Sequence, residues 1–244
     1  MLDGKLYVVG GLNLTSGEPS NAVERYDWAT KSWEAVAPLA WAREDLGVAV
    51  LDGKLYAVGG NNADEVGLSS VERYDPALDA WEEVASMAEG RDTHAVAVLD
   101  GKLYAVGGIY DDEVSSVERY DPATNAWEGV APMGSVRQGP AVAVLDGRLY
   151  AVGGAEVGGR ADNFSSVERY DPATNVWEAV APMTMARFAP GAAVLCGTLY
   201  VFGGVSVDTV GPMNTVERYD PAANAWEAMA PMTTARRCPG VGLL

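Results

Sequence analysis

Residues 103–108 read LYAVGG and residues 115–127 read SSVERYDPATNAW. Around them the chain repeats itself. The glycine pair recurs as Gly10-Gly11, Gly59-Gly60, Gly107-Gly108, Gly153-Gly154 and Gly203-Gly204. The tyrosine of the second stretch recurs as Tyr26, Tyr74, Tyr120, Tyr170 and Tyr219, and its tryptophan as Trp33, Trp81, Trp127, Trp177 and Trp226. A period of about 49 residues marks supersecondary units too small to bury a core singly, which must stack on one another. Function is then expected where the repeats differ, because agreement between repeats builds the fold.

One repeat reads as four short strands. Residues 95–99 form an apolar strand A, and Asp100-Gly101 is a hairpin signal. Residues 102–106 form strand B, ended by the glycine pair. After a polar loop come strand C at 116–120, a turn at 121–125 with Pro122 and Asn125, and strand D at 126–130. A loop carrying Arg137 leads to the next strand A. Helical periodicity is absent. Four antiparallel strands per repeat, five times over, predict an all-β propeller of five blades.

These motifs resemble those of kelch-repeat β-propellers. The chain is most similar to the propeller domains of the kelch-like proteins that recognise substrates for ubiquitin ligases. LYAVGG, SSVERYDPATNAW and VAPM followed by Arg carry the resemblance over nearly the whole chain. It implies a protein-binding module without catalytic activity. Family propellers usually have six blades, so the count of five departs from the pattern, and an incomplete six-bladed ring is the alternative. The BTB and BACK domains of the ligase adaptors have no counterpart in this sequence.

Spacing sharpens the map. Tyr to Trp is always 7 residues, Trp to the following Arg always 10, and that Arg to the next second Gly always 17. Only the interval from the second Gly to Tyr varies, at 15, 14, 12, 16 and 15 residues. All length variation therefore falls in the B–C loop, and strand alternation puts the B–C and D–A loops on one face, the top. The bottom face carries near-uniform turns.

Strand A is expected to lie innermost, because the fourth and sixth residues after each Arg are all Gly or Ala. The whole of 1–244 reads as one domain. Residues 237–244 are expected to supply the innermost strand of the N-terminal blade and so close the ring, covering its sheet edges.

Candidate contacts lie on the top face. Arg43, Arg91, Arg137, Arg187 and Arg236 recur at a fixed position near the inner rim. Either each bonds backbone carbonyls of a neighbouring blade, or together they offer forked donors to a carboxylate-bearing peptide. In kelch-like proteins the corresponding arginines often face the bound peptide. Acids such as Glu44, Asp45 and Asp92 share these loops, which disfavours a strongly acidic ligand and suits one of mixed charge. Trp41, Phe188, Tyr110 and His94 are unrepeated, and aromatic and Arg side chains in a concave surface are what binding hot spots use. The repeated Glu-Arg pairs of strand C are expected to bond adjacent blades.

Other classes are disfavoured. A net charge of −17 opposes general nucleic-acid binding. No apolar run reaches the ~20 residues of a membrane helix. A single histidine, His94, cannot build the His-rich centre of a metalloenzyme, and no cofactor is expected. Two cysteines, Cys196 and Cys238, fall on opposite faces, too far apart to pair, which suits a reducing cytoplasm. The reading is a cytoplasmic, monomeric interaction domain with a protein or peptide partner on the top face. The alternatives are a metal-independent carbohydrate-active propeller of the mutarotase kind, and an engineered or recently duplicated scaffold.

Overall fold

Turn chemistry sets the strand boundaries. Asp100 and Gly101 both adopt positive φ, at 51° and 70°, the pair of left-handed residues that a two-residue hairpin turn requires. On the same face of the blade, Asp121 Oδ1 accepts the amide of Ala123, and Tyr120 donates its hydroxyl to Asn125 Oδ1 at 2.9 Å. The computed structural model describes residues 2–110, 112–156, 163–208 and 211–239. Among them the chain is all-β, without helices.

Five antiparallel sheets follow one another as propeller blades. The second comprises Gly47–Leu51, Lys54–Val58, Val71–Asp75 and Ala80–Val84 in that order from the inside. The third comprises Ala95–Leu99, Lys102–Val106, Val117–Asp121 and Ala126–Val130. The fourth runs from Ala141–Leu145 to Val176–Val180 and the fifth from Gly191–Leu195 to Ala225–Met229, each with the same four strands. The first shows three, Leu6–Val9, Val23–Asp27 and Ser32–Ala35. Its expected innermost strand draws on residues 237–244, of which 240–244 lie outside the described residues. Strand A is innermost, and the reason for its small residues is direct. A Cβ placed on Gly47 would lie 2.2 Å from Val96 Cγ2 of the next blade's inner strand.

The core lies between blades rather than within them. Leu51, Tyr56, Val58, Val71 and Met87 of blade 2 pack against Leu103, Ala105 and Tyr120 of blade 3. The 1–2, 3–4 and 4–5 joints repeat this set. At each, a strand-B tyrosine meets a strand-C tyrosine of the next blade, as in Tyr56–Tyr120 at 5.8 Å between centroids. The strand-D tryptophans of blades 2 to 5 cross the same joints. Trp127 Nε1 donates to Ala85 O at 2.9 Å, and Trp81, Trp177 and Trp226 do likewise to Ala37, Ala131 and Ala181.

The faces of the fifth and first blades that would form a fifth joint are less covered. Leu195 is 52% exposed where Leu51, Leu99 and Leu145 are at most 3%. Leu6 and Val8 are 39% and 50% exposed, against at most 3% for Leu55, Leu103, Leu149 and Leu199 and none for Ala57, Ala105, Ala151 and Val201.

Trp127→Ala is therefore expected to cost about 3 kcal/mol in denaturant unfolding, from lost burial and an orphaned carbonyl. Trp33→Ala, at 45% exposure, should cost under about 1 kcal/mol. Equal losses would contradict this account of the joints.

Candidate functional site

Each D–A loop between consecutive blades is tied by its backbone to its own blade and by one arginine to the next. Arg137 O accepts the amide of Gly108 in blade 3, while the Arg137 side chain enters blade 4. There its Nη1 donates to Gly153 O at 2.7 Å and Ser166 O at 3.2 Å, and Nη2 to Ser166 Oγ at 2.8 Å and Glu168 Oε1 at 2.9 Å. Arg43, Arg91 and Arg187 repeat the arrangement with Glu72, Glu118 and Glu217. The glutamate completes it by accepting loop amides, such as Gly134 N on Glu168 at 2.6 Å. The glycine pair serves the same joint. A Cβ on Gly107 would lie 2.5 Å from Arg137 O, at a backbone φ of +66°.

This geometry corrects the ligand-facing expectation for four arginines. Arg43, Arg91, Arg137 and Arg187 have no exposed surface, and the two terminal nitrogens of each donate within the protein. Burial pulls Arg43 and Arg137 below the usual guanidinium range, opposed by the charges of Glu72 and Glu168. The expected pairing of strand-C Glu and Arg with adjacent blades holds for the glutamate alone. Arg73, Arg119 and Arg169 instead meet Glu82, Glu128 and Glu178 of strand D in their own blade, because the strand register sets them side by side.

The remaining candidates divide. Arg236 is exposed, as is Trp41 at 54%, whose Nε1 donates to Glu83 Oε1 at 3.1 Å. Phe188 is half-buried on the rim, with its ring against Gly139. The backbone of Tyr110 lies in a short ribbon, Ile109–Tyr110 with Asp112–Glu113, and its side chain is outside the described residues.

His94, another of the candidate contacts, is largely withdrawn from solvent. It is 8% exposed, and neither ring nitrogen has a protein hydrogen-bond partner. Burial, with the Arg91 charge adding to it, pushes its pKa down to about 3.

The inner rim itself is a recess that spacing arguments did not single out. Asp45, Thr93, Gly139, Ala189 and Cys238 all have positive φ and occupy equivalent places in the five loops. A ladder of backbone bonds links them, from Thr93 N to Asp45 O, Gly139 N to Thr93 O, Ala189 N to Gly139 O and Cys238 N to Ala189 O, at 2.8–3.1 Å. With His94, Gln138, Phe188 and Arg237 they line a cavity of about 540 Å³. Its charge is divided. Burial and mutual repulsion with Asp92 raise the pKa of Glu44 and Asp45, while the Arg237 charge acts the other way on Asp45. Among the described residues no cluster of His, Cys, Asp and Glu is arranged to hold a metal, and Cys196 and Cys238 are unpaired. No helix there is long and apolar enough to cross a membrane.

Comparison with known proteins agrees with the fold. The family model of the KLHDC2/KLHL20/DRC7 kelch-repeats domain matches residues 1–191, and the kelch motif matches residues 186–233. The chain therefore belongs to the kelch-repeat propellers, whose domains generally mediate protein–protein interactions. Among solved structures it is similar to YjhT, at 17% identity and a TM-score of 0.81 over 94% of this chain and 82% of that one. That likeness concerns the fold. Comparison with curated proteins gave no match.

The state of His94 sets a pH dependence. Unfolded, it takes up a proton near 6.5; folded, only near 3. The unfolded state binds more protons between these values, so stability falls as the pH drops through that window. His94→Leu, which installs the residue that Leu46 supplies in the equivalent loop, should remove a slope of up to ~1.4 kcal/mol per pH unit. Denaturant titrations at pH 7, 6, 5 and 4 measure it. Parallel curves for the two proteins would place His94 in water.

Proposed function

We propose that this propeller is a non-catalytic binding module whose top face, at the inner rim, receives a peptide or protein segment. One observation supports the reading above others. The residues that repeat are committed to the joints between blades, whereas the lining of the axial recess differs from loop to loop. Asp45, Thr93, Gly139, Ala189 and Cys238 share a backbone position and no side-chain chemistry. A concave, mixed-charge surface flanked by Trp41, Phe188, Arg236 and Arg237 suits aromatic and forked-donor contacts with a partner. The close acids Glu44, Asp45 and Asp92 oppose a strongly acidic ligand, so a neutral or mixed-charge segment fits best. Within the kelch-like resemblance, that partner is a substrate presented to a ubiquitin ligase.

A peptide-library screen tests this on wild type, Trp41→Ala and the double variant Phe188→Ala, Arg237→Ala. Enrichment of one motif by wild type, weakened tenfold or more in the variants while unfolding changes by under about 1 kcal/mol, is the expected result. Absence of any enriched motif, together with turnover of a free sugar, would move the assignment to a carbohydrate-active propeller.

A further inference from the structure

The four joints between consecutive blades repeat one construction, so each shows what belongs at the same place in the others. At the 1–2 joint, Trp41 precedes the buried Arg43 by two residues. Its backbone amide lies 3.4 Å from Glu72 Oε1, and its indole Nε1 donates to Glu83 Oε1 at 3.1 Å. Glu72 and Glu83 are register partners on strands C and D. The indole therefore spans from the loop to strand D of blade 2.

At the 2–3 joint the same place is built differently. Glu89 stands where Trp41 does, and its amide donates to Glu118 Oε1 at 3.1 Å, so the backbone anchor is kept. Its side chain is held through Oε2 alone, by Ser116 Oγ and by Arg91 Nη2, the latter at 3.2 Å. Among the described residues, Glu89 Oε1 accepts no hydrogen bond. Across the register from Glu118, strand D carries Gly129, where blades 2, 4 and 5 have Glu83, Ala179 and Ala228. A Cβ on Gly129 would meet nothing within 4 Å. The space that an indole takes at one joint is thus left at the next as a cleft of about 260 Å³, lined by Ala88, Val117, Val130 and Pro132 together with Glu89 and Gly129. It shares no lining residue with the axial recess.

We propose that this cleft is a docking slot for a tryptophan side chain of a protein partner. Trp41 shows that an indole fits this place in the repeat, with its N–H on a carboxylate. In the cleft the apolar walls take the ring, and the unshared oxygen of Glu89 takes the N–H, which needs an acceptor once buried. Phenylalanine would leave that oxygen unmatched, and an acidic side chain would be repelled by Glu89 and Glu118. Ala88, Gly129 and Pro132 are exposed, so the cleft is open on one side. It suits a ring projecting from a larger molecule, whereas sites for free small molecules enclose most of their ligand. Tryptophan is also among the residues that anchor protein interfaces most strongly.

Methyl-resolved NMR on the whole chain, titrated with N-acetyltryptophanamide, tests the slot. The probe should shift the Val117 and Val130 methyls with millimolar affinity, and N-acetylphenylalaninamide should bind about fivefold more weakly. Two variants fill the cleft from opposite sides, so that a folding defect in one leaves the other informative. Gly129→Leu fills it from strand D, where the glycine has open space. Glu89→Trp combined with Gly129→Glu rebuilds the arrangement of Trp41 and Glu83. Each should abolish the shifts at Val117 and Val130. Shifts that persist in a folded variant, or wild-type methyls that do not respond, would overturn the proposal. A library of peptides with one tryptophan each identifies the source of the ring. At least one peptide should bind tenfold or more tighter than the probe and lose that gain in Gly129→Leu. If no peptide improves on the probe, the cleft serves a free indole compound and the proposal fails.

Discussion

A buried arginine bonded to a buried glutamate across each blade joint is the contact on which the rest of the structure depends. Two desolvated charges are costly apart, and the cost is met because nearly every donor and acceptor around them is matched, Arg91 Nε and Arg187 Nε being the exceptions. The guanidinium takes two carbonyls, a hydroxyl and a carboxylate, and the carboxylate takes loop amides as well. That network fixes the path of the D–A loop. The loop's left-handed residue then meets its neighbour in the rim ladder, and the recess at the axis takes its shape from there. Packing between tyrosines, leucines and tryptophans supplies most of the burial, but it is the ion pair that sets how one blade is aligned on the next.

The same arrangement divides labour along the sequence. Residues that repeat hold blades together and are consumed in doing so. Residues that do not repeat sit at the top of the axis, held in place by loops whose backbones are pinned on both sides. A rigid frame presenting variable side chains is what binding surfaces need. On the facing sides of the fifth and first blades the rule shows its other side, because residues of the joint type, such as Leu195, Leu6 and Val8, are exposed there.

Much of this was legible in the sequence. Strand positions, the alternation of glycine and alanine in strand A and the confinement of length changes to the B–C loop follow from period and spacing, which local chemistry fixes. The role of the arginines was not, since a ring of regularly spaced arginines reads equally as a ligand cradle or as a set of structural pairs. A deciding signal was present, in that strand C of blades 2 to 5 carries a glutamate that the preceding arginine reaches, as Arg137 reaches Glu168. The burial of His94 was not legible, because it arises from the approach of the blade 2 glycines, Gly47 and Gly59, a tertiary event that no local pattern records. The exposure of Leu6, Trp33 and Glu24 was equally hidden, because these residues follow the repeat in sequence and differ only in what lies beside them.

The most direct test of the central claim is a double-mutant cycle on Arg137→Ala and Glu168→Ala, read by equilibrium denaturation. Each single change should cost about 3–5 kcal/mol, because it leaves the other charge buried without its partner, and the pair should cost far less than the sum. Losses that simply add, or single variants that unfold like wild type, would mean that the arginine ring does not hold the blades together.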